Sequence, residues 1–132
     1  MPRIPPLPED QWDDDLREVL AVRSPSLGDR LGDNNIFPTF ARHKDLFRAW
    51  LPFGGRLLAG GTLPAREREL LILRTGYNCG SDYEWGQHVR IAEAIGMERA
   101  EILRVAEGPD AEGWSPADAT LLRAADELHE HS

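Results

Sequence analysis

Apolar residues recur along the chain at helical spacing, and no run alternates apolar with polar long enough to make a strand. Leu16, Val19 and Leu20 share one helical face, with Asp13, Asp14 and Asp15 near the positive end; a helix is predicted over 9–22. Residues 1–8 carry four prolines. Because proline lacks an amide donor and restricts the residue before it, they predict an extended arm packed on some other surface. Pro25, Gly28, Gly32, Asn34 and Asn35 make 24–35 a loop. Residues 36–40 and 45–59 bring Leu46, Phe47, Trp50, Leu51, Leu57 and Leu58. Pro52 and Gly54-Gly55 are expected to kink or divide that helix, and Gly60-Gly61 to end it.

Further along, Thr62, Pro64, Glu67 and Glu69 read as a helix start that continues through Leu70, Leu71, Ile72 and Leu73 to about Asn78. By composition this is the most buried helix. Ser81 or Asp82 caps the next, over 82–95, which Gly96 stops. Another spans 98–107 before Gly108-Pro109. Ser115, Pro116 and Asp118 open the last helix, with Ala117, Leu121, Leu122, Ala125 and Leu128 as its stripe. That stripe runs to Ser132 without a stop signal, so the chain either frays there or is shorter than its natural form. No repeat of 20–50 residues and no linker between two cores is visible. The expectation is an all-α fold: the arm 1–8, then one compact helical domain of about six helices over 9–132.

Composition and charge narrow the class. Of 132 residues, 41% are hydrophobic, which suits a globular chain. The longest apolar runs, 19–22 and 70–73, are far below the ~20 residues of a membrane span. A net charge of −8 repels phosphate backbones, so nucleic acid is a poor partner. No export signal opens the sequence, and Cys79 is the only cysteine. A cytoplasmic location without an intrachain disulfide is expected.

Candidate chemistry concentrates in residues 69–88. Glu84 and His88 lie four apart on one helical face, which continues through Ile91, Ala92 and Ile95. Glu69 shares its own face with Ile72, Leu73 and Gly76, and Gly76 would permit close helix approach. Carboxylates and an imidazole on otherwise apolar faces are suited to acid–base work. The same spacing also fits a surface ion pair. Glu84, His88 and Glu69 are few ligands for zinc and lack a dense His or Cys motif; neither a metal nor a cofactor is expected.

The run Ser81-Asp82-Tyr83-Glu84-Trp85-Gly86-Gln87-His88, with Val89-Arg90-Ile91-Ala92 after it and Arg66-Glu67-Arg68-Glu69-Leu70-Leu71-Ile72-Leu73 before it, resembles the carboxymuconolactone decarboxylase family, which includes alkylhydroperoxidase D. The resemblance covers roughly residues 35–128. In the hydroperoxidase branch a glutamate is followed, after eleven residues, by Cys-x-x-Cys and then a histidine. The same spacings here select Glu69, Ser81, Glu84 and His88, and Tyr83 falls where some members place another relay histidine.

Both redox cysteine positions are thus replaced, by Ser81 and Glu84. Neither a hydroxyl nor a carboxylate can attack a peroxide and then close a disulfide, which argues against the two-cysteine route. The resemblance implies a decarboxylase-like small-molecule enzyme using Glu/His chemistry, on a substrate such as a carboxylated lactone. His88 would be the general acid/base, Glu84 or Glu69 its orienting partner and Tyr83 an oxyanion donor, with Ser81 nearby. Trp85, Trp50 and Phe53 are candidate pocket walls, or else core or interface residues. The resemblance also implies a homo-oligomer, a trimer or hexamer. Two alternatives stand beside this reading: a peroxidase-like antioxidant protein working through Cys79, which lies near a helix start although a lone cysteine there is more often a buried packing residue, and a non-catalytic binding or structural module of the same fold.

Overall fold

The computed structural model describes residues 3–26 and 28–131, and among these described residues there are seven α-helices. They are α1 (Asp14–Leu20), α2 (Ile36–Phe40), α3 (Lys44–Ala59), α4 (Ala65–Asn78), α5 (Asp82–Ala94), α6 (Arg99–Glu107) and α7 (Pro116–His131). Among the described residues there is no strand, only an isolated bridge between Arg23 and Arg30. The all-α expectation is met, with one helix more than the six predicted because 36–59 resolves into two. None of these helices is long and apolar enough to cross a membrane. The chain divides into two compact units, Met1–Gly61 and Thr62–Ser132.

In the first unit, α1 is shorter than its predicted 9–22. Glu9–Gln11 forms a 3-10 turn, Trp12 is extended, and the Asp13 side chain accepts from the Leu16 amide at 3.0 Å, so the helix proper begins at Asp14. The break seats Trp12 in the core with Leu16, Leu20, Ala41 and Phe47, and its indole donates to the Leu7 carbonyl at 2.9 Å. The proline arm is held by this same unit. The Leu7 amide donates to Pro38 O at 3.1 Å and Arg42 Nε to Pro5 O at 2.6 Å. Pro52 neither ends nor divides α3. It lies on an exposed face, where water can satisfy the carbonyl left without an amide partner. Gly54 makes room for a neighbouring ring, since a Cβ there would lie 2.6 Å from Trp50.

In the second unit α4 is central and packs against α5, α6 and α7. Leu70 and Leu73 of α4 join Ala92, Met97, Ile102, Val105 and Leu122 in one core, with Trp85, Val89, Trp114 and Leu121 against it. Two charged arms of α4 fasten the other helices. Arg66 pairs with Glu101 of α6 and donates to Asp118 of α7 at 2.7 Å. Arg74 donates to Asp126 of α7 at 2.6 Å and to the carbonyls of Val105 and Ala106 at 3.0 and 3.1 Å, closing the end of α6. Of the stripe predicted for α7, Leu122 and Ala125 are buried and Leu121 packs against the core, whereas Ala117 and Leu128 face solvent and Asp118 and Ala119 are buried instead. Ser132, to which the sequence carried this helix, lies outside the described residues.

Candidate functional site

The turn between α4 and α5 sets the site. Gly80 takes φ +60, its amide donates to Tyr77 O at 3.0 Å, and the Ser81 amide donates to Gly76 O at 2.9 Å. This pairing is the Schellman arrangement, which ends α4 and reverses the chain within a few residues. Helix α5 therefore runs back along α4, and residues 19 apart in sequence become neighbours. Ser81 holds the N-cap position of α5 without a side-chain cap hydrogen bond.

His88 of α5 meets Glu69 of α4. An ionised carboxylate only accepts, so His88 Nδ1–H donates to Glu69 Oε2, at 2.7 Å. Arg68 Nε donates to the other oxygen, Oε1, at 2.9 Å. Glu69 is fully buried, with one donor on each oxygen and a cation beside it, which is what a carboxylate inside a core requires. With Nδ1 engaged, His88 Nε2 is left for proton exchange. It faces Glu84 Oε2 at 3.7 Å, and a shift of less than about 1 Å would close that gap to a hydrogen bond. The His88 side chain is 13% exposed and that of Glu84 41%.

Glu84 also forms part of a pocket of about 470 Å³ lined by Leu71, Ile72, Thr75, Gly76, Cys79, Ser81 and Glu84. The floor is the α4 face carrying Leu71, Ile72 and Thr75, and the turn with the first helical turn of α5 supplies the polar end. Glu69, Glu84 and His88 thus come together as the sequence suggested, and Ser81 joins them at the wall. Tyr83 is exposed and outside the lining. One position before Glu84, it is rotated about 100° from the face that Glu84 and His88 share. Trp85 packs against the core and near Tyr77, with ring centroids 6.0 Å apart, rather than lining the pocket. In the first unit, Trp50 packs on Phe40 at 5.1 Å and Phe53 is exposed. Gly76 does face α5, but a Cβ there would sit 3.6 Å from Trp85 N, an ordinary contact. The approach does not depend on glycine.

Cys79 is exposed and is not a packing residue. It closes the C-terminal end of α4, where the helix presents carbonyls rather than amide donors. Its Sγ lies 3.9 Å from His129 Nδ1 of α7. Sequence reasoning missed Arg68 and His129. Neighbouring positions on a helix point about 100° apart, so Arg68 gave no sign of reaching Glu69, and His129 meets Cys79 only through the packing of α7 on α4. Among the described residues no group of three or more His, Cys, Asp or Glu side chains is placed to hold a metal ion.

No curated protein and no solved structure matches the chain. A family model does, over residues 44–127, from the start of α3 almost to the end of α7. On that match the chain belongs to the carboxymuconolactone decarboxylase family.

Proposed function

We propose that the chain is a small-molecule enzyme of this family that moves protons with its own side chains. Glu84 is the group presented to the ligand, His88 passes the proton, and Glu69 with Arg68 holds the imidazole in one tautomer. The carrying observation is the line from the pocket wall at Glu84, across a 3.7 Å gap to His88 Nε2, and from His88 Nδ1 through a 2.7 Å hydrogen bond to a buried, paired carboxylate. A base whose far nitrogen is fixed by a carboxylate is oriented for general acid–base catalysis. Ser81, on the same wall, is the hydroxyl available to a developing oxyanion. Tyr83 is left out of this arrangement.

The test is a mass-spectrometric screen of the purified protein, following turnover and solvent deuterium uptake on small lactones, ketones and amines, with hydroperoxides in parallel. His88→Ala and Glu84→Gln should each lower turnover by about 100-fold or more. Glu69→Gln should act through His88, displacing the pH profile as well as lowering the rate. Ligand binding with no turnover by any substrate would identify a binding module instead.

A second reading rests on Cys79, which is exposed, lines the same pocket and has an imidazole 3.9 Å away. Its thiolate would attack the terminal oxygen of a hydroperoxide, the O–O bond breaking as the leaving oxygen takes a proton to give the alcohol; the sulfenic acid then condenses with one external thiol, releasing water, and a second external thiol frees the cysteine and departs as the disulfide of the two. Loss of hydroperoxide turnover in Cys79→Ser, with helicity intact by circular dichroism, selects this route. Turnover unchanged in that variant and lost in His88→Ala selects the first.

A further inference from the structure

The charge around the pocket points to the kind of molecule it takes. Among the described residues that line it none is basic, and the one carboxylate is Glu84. The nearest cations on α4 are engaged. Arg68, one turn before Ile72 on the same face, is drawn to Glu69 and lies outside the lining. Arg74 is held by Asp126 and by two carbonyls of α6, and Arg66 by Glu101 and Asp118. Residues 62–132 hold seven arginines and no lysine against fourteen Asp and Glu. Residues 62–132 thus carry a net charge of −7 with histidine neutral, and the pocket floor is apolar.

That setting is adverse to an anion. The carboxylated lactone implied by the resemblance would bring its charge against Glu84 with no guanidinium or ammonium in the lining to receive it. A cation has the opposite fate. Its charge meets Glu84, its N–H donors meet Glu84 and the Ser81 hydroxyl, and its hydrocarbon lies on Leu71 and Ile72. Thr75 is already turned to its own helix, its hydroxyl donating to Leu71 O at 2.8 Å. The volume of about 470 Å³ lies in the range of small-molecule sites.

We propose that the pocket between α4 and the start of α5 selects a small, largely apolar amine, bound through Glu84 and Ser81, and discriminates against carboxylates. The proposal rests on reading this pocket as the ligand site and adds the ligand's chemical class. Glu84 then has a second role, as the residue that sets specificity by charge.

Three probes of similar shape separate the possibilities: benzylamine, benzyl alcohol and benzoate, titrated into the full chain while the methyl signals of Leu71 and Ile72 are followed by NMR. Benzylamine should bind at least tenfold more tightly than benzoate, with the alcohol between them. Glu84→Gln should bring benzylamine to the level of the alcohol. Thr75→Lys, at an exposed position of the pocket floor, should reverse the order in favour of benzoate. Benzoate binding as well as benzylamine, a preference that survives Glu84→Gln, or no methyl response to any probe would each overturn the proposal. Because binding is read without turnover, the outcome is separate from that of the acid–base reading: an amine preference can stand in a chain that catalyses nothing, and turnover sensitive to His88 can stand without an amine preference.

Discussion

Glu69 is where the residue scale is most demanding, because a buried carboxylate is stable only while its partners remain. His88 and Arg68 contact different oxygens, at 2.7 and 2.9 Å, and the carboxylate has no solvent exposure. Glu69→Ala should therefore cost about 3 kcal/mol by stranding Arg68 and His88 in a poorly solvated place. In a double-mutant cycle by urea unfolding, Glu69 and His88 should couple by about 1–3 kcal/mol. Glu84 and His88 should couple by less than about 1 kcal/mol, since their atoms are 3.7 Å apart and Glu84 is half-exposed. Additivity for both pairs would show that the three residues do not act as one unit. In turnover, by contrast, Glu84 and His88 should behave as one unit, each single change costing about as much as the double.

At the scale of the element, the two glycines flanking the end of α4 have opposite roles. Gly80 takes φ +60 in the reversing turn, a conformation that costs an L-residue about 1 kcal/mol or more. Gly76 is buried but in ordinary helical conformation, with room for a methyl group against α5. Gly80→Ala should lower stability by about 1 kcal/mol and loosen the placement of Glu84. Gly76→Ala should be neutral or stabilise by up to about 1 kcal/mol, because alanine removes backbone freedom from the unfolded chain. Thermal unfolding of the two variants side by side decides this. Sequence pattern pointed to Gly76, on the apolar face, and passed over Gly80. A turn conformation is set by local hydrogen bonds that hydrophobic spacing does not record.

For the whole molecule, the second unit depends on ion pairs that cross between helices. Asp118 is held below the ordinary aspartate value of 3.8 by the guanidinium of Arg66, and Asp126 by that of Arg74, burial opposing both. A depressed folded-state pKa means that the unfolded chain takes up the proton first as pH falls. The stabilisation is complete above 3.8 and is lost as pH drops through the lower folded values. Urea midpoints should therefore be level near neutrality and fall below about pH 4. Asp118→Asn should cost about 2 kcal/mol at pH 7 and flatten the acid limb. Assembly is the other expectation at this scale. The proline arm is secured on its own unit, so the argument for a partner now rests on Leu46, Phe53 and Leu57 of α3, each more than half exposed. Light scattering at micromolar concentration should report a multiple of the 14.8 kDa chain, and a monomer would remove that expectation.

The sequence by itself determined the all-α class, the family and most of the helices. Gly96 and Gly108 end helices where predicted, since caps and stops act within a turn of their own residue. It also marked Glu69, Glu84 and His88, because two helical faces each placed ionisable groups among apolar ones, while Ser81 was marked only by the family resemblance. What depended on packing escaped it. The break at Trp12 goes with an indole reaching back to Leu7, and the burial of Asp118 with its pairing to Arg66. The pairing of Arg68 with Glu69, the approach of His129 to Cys79 and the absence of Tyr83 from the pocket wall belong to the same class. Helical periodicity shows which side of a helix turns inward. Which partner waits there is decided only when α4, α5 and α7 pack, because that choice depends on the rotation and depth of each helix against its neighbours.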